Sequence, residues 1–183
     1  ERPRDVWSWD FAFDRTASGT TLKWLSVIDE YTRECLALKV GRNLTSEEVI
    51  ETLTELFATY GPPRRLRSDN GSEFVARSVR EWLNRLGIEV SYVEPGSPWQ
   101  NGYVESFHSK LRDEFLSREV FENVAAARRQ TAAWRDAYNH QRPHGSLGYQ
   151  TPSEFAARWC AASAPAAPTL QRHTTGLPQT QLS

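Results

Sequence analysis

Between residues 5 and 13 the chain alternates, with Val6, Ser8, Asp10 and Ala12 on one face of an extended segment and Trp7, Trp9, Phe11 and Phe13 on the other. This predicts a first strand with an acid in its middle, and a carboxylate there is costly if it is buried without a partner. Ser18-Gly19 marks a turn within 14–21, residues 22–28 predict a second strand, and residues 35–40 predict a third after a turn at 29–34. Three strands on short turns imply an antiparallel meander. Thr45-Ser46-Glu47-Glu48 then resembles a capping box, and Val49, Ile50, Leu53, Leu56, Phe57 and Tyr60 form the apolar stripe of a helix that Gly61-Pro62-Pro63 stops. Residues 65–68 predict a fourth strand ending at Asp69. Val79, Trp82, Leu83 and Leu86 mark a helix closed by Gly87, and residues 88–93 a fifth strand.

From Pro98 to Arg112 a polar loop runs into a helix: Asn101-Gly102 is turn chemistry, and Val104, Phe107, His108 and Leu111 recur at spacings of three and four. Glu105 lies on the opposite face, and Arg112, close to two turns later, shares its stripe. Taken alone, such a pair describes a solvated surface helix. Further on, Val124, Ala127, Thr131, Trp134 and Tyr138 predict a long amphipathic helix over 123–141, capped by Asn123. Arg142-Pro143-His144-Gly145 breaks it, and Thr151-Pro152-Ser153-Glu154 opens a short last helix through Trp159. Residues 161–183 hold few large apolar side chains, which predicts a disordered tail behind a core of residues 1–160. Strand and helix alternating after a meander predict an α/β domain with a mixed sheet.

With 183 residues the chain suits one domain. No uninterrupted apolar run approaches the ~20 residues that span a bilayer, and the first residues have no signal-peptide character, so no membrane partner is expected. Cys35 and Cys160 match no metal-ligand spacing and read as incidental free thiols of a reducing, cytoplasmic compartment. The formal charge of −1 weighs against phosphate binding by the chain as a whole, although Arg64, Arg65 and Arg67 are a local basic group just before an acidic motif.

Asp10 in mid-strand, Asp69 at a strand end beside Asn70-Gly71, and Glu105 on a helix after a Gly-containing loop stand in comparable settings. Should the first and fourth strands be neighbours, Asp10 and Asp69 come together and the helix can bring Glu105 over them. Carboxylates at that range repel, and a divalent cation is the usual remedy. Hard oxygen ligands select Mg²⁺ or Mn²⁺ over Zn²⁺.

Trp9-Asp10-Phe11, Ser68-Asp69-Asn70-Gly71-Ser72-Glu73-Phe74 and Pro98-Trp99-Gln100-Asn101-Gly102-Tyr103-Val104-Glu105 closely resemble the integrase core of retroviral integrases and bacterial insertion-sequence transposases. Thirty-five residues separate Asp69 from Glu105, the spacing of that family's Asp-Asp-Glu triad. Tyr138-Asn139, Arg142-Pro143-His144 and Thr151-Pro152 look like the insertion-sequence branch. The resemblance implies a ribonuclease-H-like fold, a five-stranded mixed sheet in the order 3-2-1-4-5 flanked by helices. It also implies two metal ions, bridged by Asp10 and completed by Asp69 and Glu105, which serve DNA 3′-end nicking and strand transfer.

Arg112 falls where the family carries a basic residue and would meet a DNA phosphate, with Lys110 assisting from a neighbouring face or simply solvated. Trp99, Gln100 and Asn101 could touch DNA, Trp99 equally packing on the sheet. His108 is expected on the apolar side of its helix, and His144 either binds DNA or caps structure. Asp14, Asp29 and Glu30 are expected in structural roles, and Glu73 as a supporting or surface acid. The competing functions are a purely hydrolytic nuclease on the same fold and a non-catalytic DNA-binding or assembly module. Family members act as multimers on DNA ends, which they recognise through a helix-turn-helix region before the core, so this chain is expected to be a core fragment that alone binds DNA weakly.

Overall fold

A computed structural model of the chain describes residues 2–68, 73–92 and 102–163. The alternating first segment forms β1 (Val6–Arg15), followed by β2 (Thr21–Asp29) and β3 (Cys35–Gly41) in an antiparallel meander. Helix α1 (Ser46–Tyr60) leads to β4 (Arg65–Ser68), and α2 (Glu73–Arg85) leads to β5 (Glu89–Tyr92). β4 pairs parallel with β1, and β5 pairs parallel with β4. The sheet therefore runs β3-β2-β1-β4-β5 and is mixed, in the order that the resemblance implies.

Alternation along β1 and β2 divides the interior into two cores. Trp7 and Trp9, with Leu25 and Val27, pack against Val49, Leu53 and Leu56 of α1 and Val79 and Leu83 of α2. On the other face Ala12, Leu22, Trp24 and Ile28 meet Val104, Phe107 and Leu111 of α3 (Gly102–Leu111), and Ala127 and Tyr138 of α4 (Val124–His140). Phe13, on the face of Trp7 and Trp9, lies beyond the cover of α1 and α2, 58% exposed, with Lys23 Nζ 5.7 Å from its ring.

The expected caps form. Thr45 Oγ1 accepts from the Glu48 N–H at 3.3 Å while Glu48 accepts from the Thr45 N–H at 2.9 Å, and Gly61 leaves α1 at a φ of +77° that disfavours any side chain. Asn123 Oδ1 accepts from the Ala126 N–H at 2.9 Å to start α4. α4 then secures β3, an edge of the sheet. Asn139 accepts from the Cys35 N–H at 2.9 Å and donates to the Cys35 carbonyl at 3.0 Å, and Arg135 donates to the carbonyls of Cys35 and Leu36 at 2.8 and 2.6 Å. The free Cys35 thiol is fully buried and pushed up to about 12 by that burial, so it stays protonated.

After α3 the helix widens into a π-helical turn (Arg112–Leu116) that the 3.6-residue period does not announce. The wider turn lets the consecutive side chains Phe115 and Leu116 both enter the core. A short 3₁₀ turn (Gly145–Leu147) precedes α5 (Pro152–Ser163), which extends three residues past the boundary expected at 160. Residues 164–183, the rest of the expected tail, lie outside the described residues. Among the described residues no helix is long and apolar enough to cross a membrane.

Candidate functional site

On the α3 side of the sheet, β1 and β2 interrupt their apolar face with a polar strip, Ser8, Asp10 and Ser26, in which Asp10 and Ser26 are direct cross-strand partners. Ser8 and Ser26 are fully buried and Asp10 is half-buried. One Asp10 oxygen, Oδ1, accepts from the Phe11 N–H at 2.7 Å. The other, Oδ2, lies 3.2 Å from His108 Nδ1, while His108 Nε2 is 2.8 Å from Ser26 Oγ, which in turn donates to the Asp10 carbonyl at 3.1 Å. An ionised carboxylate can only accept, so Nδ1 is the donor in the pair. His108 thus leaves the wholly apolar setting expected of it and acts as the clasp between α3 and the strand that bears Asp10.

That clasp sets the direction of the neighbouring side chains. Glu105 precedes His108 by three residues and Arg112 follows it by four, so all three occupy one flank of the helix, spread over ~10 Å along its axis. Glu105 and Arg112 are exposed, and neither side chain makes an ion pair with a described residue. Lys110 is different. Two residues from Arg112 it lies about 200° round the helix, and its Nζ donates to the Ser106 carbonyl at 3.1 Å and to Ser106 Oγ at 2.7 Å, on the other flank.

Parallel pairing sets Trp9 beside Ser68, the last described residue before Asp69, so β4 ends alongside the strand position of Asp10. Asp69, Trp99, Gln100 and Asn101 lie outside the described residues. No cluster of three His, Cys, Asp or Glu that could hold a metal occurs among the described residues. The donors in place nevertheless suit a hard cation: Asp10 presents an oxygen toward α3, Glu105 is unpaired on the flank that His108 lays against it, and no thiolate is near.

The arginines before Asp69 are not a free basic patch. Arg64 Nε lies 3.2 Å from Asp5, Arg65 Nη2 2.8 Å from Glu89, and Arg67 Nε 3.4 Å from the buried Glu30. Glu30 also accepts from Ser8 Oγ, and Asp29 accepts from Thr32 Oγ1 at 2.6 Å, so these two acids are structural. His144 is buried against Tyr138, ring centres 4.9 Å apart, and Arg142 forms a two-pronged pair with Glu114 of the π-helical turn. The guanidinium holds the Glu114 carboxyl below the usual carboxylate range.

Comparison with known proteins gives the family. Two profiles, both described as integrase core domain, match residues 1–98 and 86–152. The chain is 42% identical over 157 residues to an uncharacterized 39.2 kDa protein of insertion element IS476 from Xanthomonas euvesicatoria, covering 86% of this chain and 45% of that protein. It is 41% identical over 166 residues to an uncharacterized 31.7 kDa protein of insertion element IS407 from Burkholderia multivorans, covering 90% of this chain and 60% of that protein. It therefore spans about half the length of these curated relatives. The integrase catalytic core of HTLV-2, solved with magnesium in a trimeric form, superposes with a TM-score of 0.63 at 16% identity over 85% of this chain and 97% of that one, a likeness of fold, the ribonuclease-H-like fold. With one profile alone matching more than half of its residues, the chain belongs to the integrase core domain family.

Proposed function

We propose that residues 1–160 are the catalytic core of an insertion-element transposase, which nicks DNA at a 3′ end and joins that end to a target, with Asp10, Asp69 and Glu105 as the ligands of two Mg²⁺ or Mn²⁺ ions. The observation that carries the proposal is the His108–Asp10 contact of 3.2 Å, because it turns the Glu105 flank of α3 toward the only acid in the polar strip of the sheet among the described residues. The relatives' insertion elements and the magnesium of the HTLV-2 core support it. When bound, such ions supply charge neutralisation at the attacking and leaving oxygens of an in-line displacement.

The chain's own residues do the rest. Asp10 is held by the Phe11 N–H and by His108, so its free lone pairs keep one direction. Glu105 shares the flank of His108 without an ion-pair partner among the described residues, and Arg112, about two turns along, is placed to hold a backbone phosphate. In nicking, the oxygen of a water molecule bonds to phosphorus as the bond from phosphorus to the 3′-oxygen breaks, and the leaving oxygen takes up a proton to become the 3′-hydroxyl. In joining, the freed 3′-hydroxyl attacks and one P–O bond forms as another breaks, so no nucleotide hydrolysis is needed. Trp99, Gln100 and Asn101 are proposed DNA contacts, and the active form is a homo-oligomer on DNA in the cytoplasm.

A change of ligand hardness tests the metal site directly. Asp10→Cys places a soft thiolate on the cation, so nicking of a duplex oligonucleotide is lost in Mg²⁺ and partly restored in Mn²⁺. Equal activity of Asp10→Cys and the unchanged chain in Mg²⁺ overturns the assignment.

A further inference from the structure

The flank of α3 turned away from Glu105 lines a cleft of about 550 Å³, closed on its far side by the segment that follows α4. Arg33, Lys110 and Arg142 enter it, together with His144. Arg33 is fixed by stacking its guanidinium 3.8 Å over the Tyr103 ring and by donating to the Glu30 carbonyl. Among the described residues Glu114, paired with Arg142, is the one carboxylate engaged by these cations, so positive charge is in excess there. Burial first, and then the nearby Arg142, push the Lys110 ammonium below its ordinary range.

His144 is the second, independent observation. It is 6% exposed, and its Nε2 is buried with no hydrogen-bond partner among the described residues. Burial first, then Arg142 and Lys110, push the imidazole down to about 4, so at neutral pH it is uncharged and can donate from Nε2. A buried polar nitrogen without a partner is costly, and because His144 lines the cationic cleft, an anion bound there is the partner that would satisfy it. The space is several times that of a single oxyanion, which suits a phosphate still attached to its sugars.

We propose that this cleft is a second phosphate site, which takes one backbone phosphate of a DNA strand passing on the side of α3 opposite Glu105 and Arg112. The proposal rests on the reading of the chain as a DNA-processing core. It makes α3 a divider between two stretches of DNA, with the reacting phosphodiester on one flank and a held, unreactive phosphate on the other.

Two measurements on the 183-residue chain test it. In the first, His144 imidazole nitrogens are followed by NMR while a duplex oligonucleotide or inorganic phosphate is added. In the second, Arg33→Gln with Lys110→Gln is compared with the unchanged chain for duplex affinity across salt concentrations. The expected results are a shift of the His144 signals with duplex, roughly tenfold weaker binding at low salt, and a log–log salt slope shallower by about one. A response to inorganic phosphate but not to duplex overturns DNA as the ligand. So does a double variant with unchanged affinity and slope, or a His144 signal that moves with neither addition. If Glu105→Gln still nicks while duplex shifts His144, the cleft stands and the catalytic reading falls.

Discussion

His108 gives Asp10 a fixed direction by occupying Oδ2 while the Phe11 N–H occupies Oδ1. Partners of metal-binding side chains are worth about 10–100-fold in affinity or activity. His108→Leu is therefore expected to raise the Mn²⁺ concentration for half-maximal nicking roughly tenfold or more, and His108→Asn, which keeps a donor, to lose less; equal titrations for both variants and the unchanged chain contradict this. Asp10 stood out because an acid interrupts an otherwise apolar strand, whereas Glu105, ordinary on the polar side of an amphipathic helix, stood out only through its spacing from Asp69. His108 did not, since its position borders both the apolar stripe and the polar flank, and only the register that sets Ser26 opposite Asp10 decides between them. His144 carries a pH prediction. Arg142, Lys110 and Arg33 face it and oppose its protonation, while Glu114 favours it. Its folded pKa lies near 4, below the ordinary 6.5, so the unfolded chain binds the extra proton between these values. Stability is then full above pH 6.5, falls as pH drops through the window by up to about 3 kcal/mol, and levels off below pH 4. Urea unfolding across that range checks it, and His144→Gln flattens the fall.

At the scale of elements, the sequence announced β1 through β5, the capping box of α1 and the Asn123 cap because each rests on local chemistry. What it could not announce depends on partners distant in the chain. Tyr138-Asn139 stood out as a motif, yet the task of Asn139, closing the backbone of edge strand β3 at Cys35, is visible only once α4 is laid on the sheet. Replacing Asn139 by Leu leaves the buried Cys35 N–H without its partner, while the Cys35 carbonyl keeps Arg135, and is expected to cost about 2 kcal/mol, whereas Asn123→Ala, which removes one cap, costs about 1 kcal/mol. Urea denaturation midpoints at constant slope rank the two, and the reverse order contradicts the edge-clamp role. The arginines before Asp69 were misjudged for a related reason: their carboxylate partners Asp5, Glu30 and Glu89 come from other strands and turns. The π-helical turn escaped notice since its period differs from the one by which helices are found.

For the molecule as a whole, a formal charge of −1 is compatible with the proposed DNA chemistry because charge is arranged locally: Glu105 and Arg112 share one flank of α3, and Arg33, Lys110 and Arg142 line a cleft on the other. If Asp10 and Glu105 hold cations as proposed, their binding stabilises the fold by mass action. Mn²⁺ at a hundredfold over its dissociation constant adds about 2.7 kcal/mol, a rise in melting temperature of about 5–10 °C that a chelator reverses and that Asp10→Asn abolishes. An identical rise in Asp10→Asn would place the cations elsewhere. The fold class was legible at this scale because alternation and helical period agree on an α/β domain with a mixed sheet, whereas the order of its strands came from the resemblance to the integrase core. Asymmetry between the two flanks of α3 was not legible, because it depends on Arg33 and His144, which are distant from α3 in sequence. The most direct test is the Mn²⁺-dependent reaction of a labelled duplex oligonucleotide with the unchanged chain and with Glu105→Gln, which removes the charge and keeps the volume. Nicked and joined products from the former and none from the latter are predicted; products formed at equal rates by both would contradict the carboxylate site as the seat of catalysis.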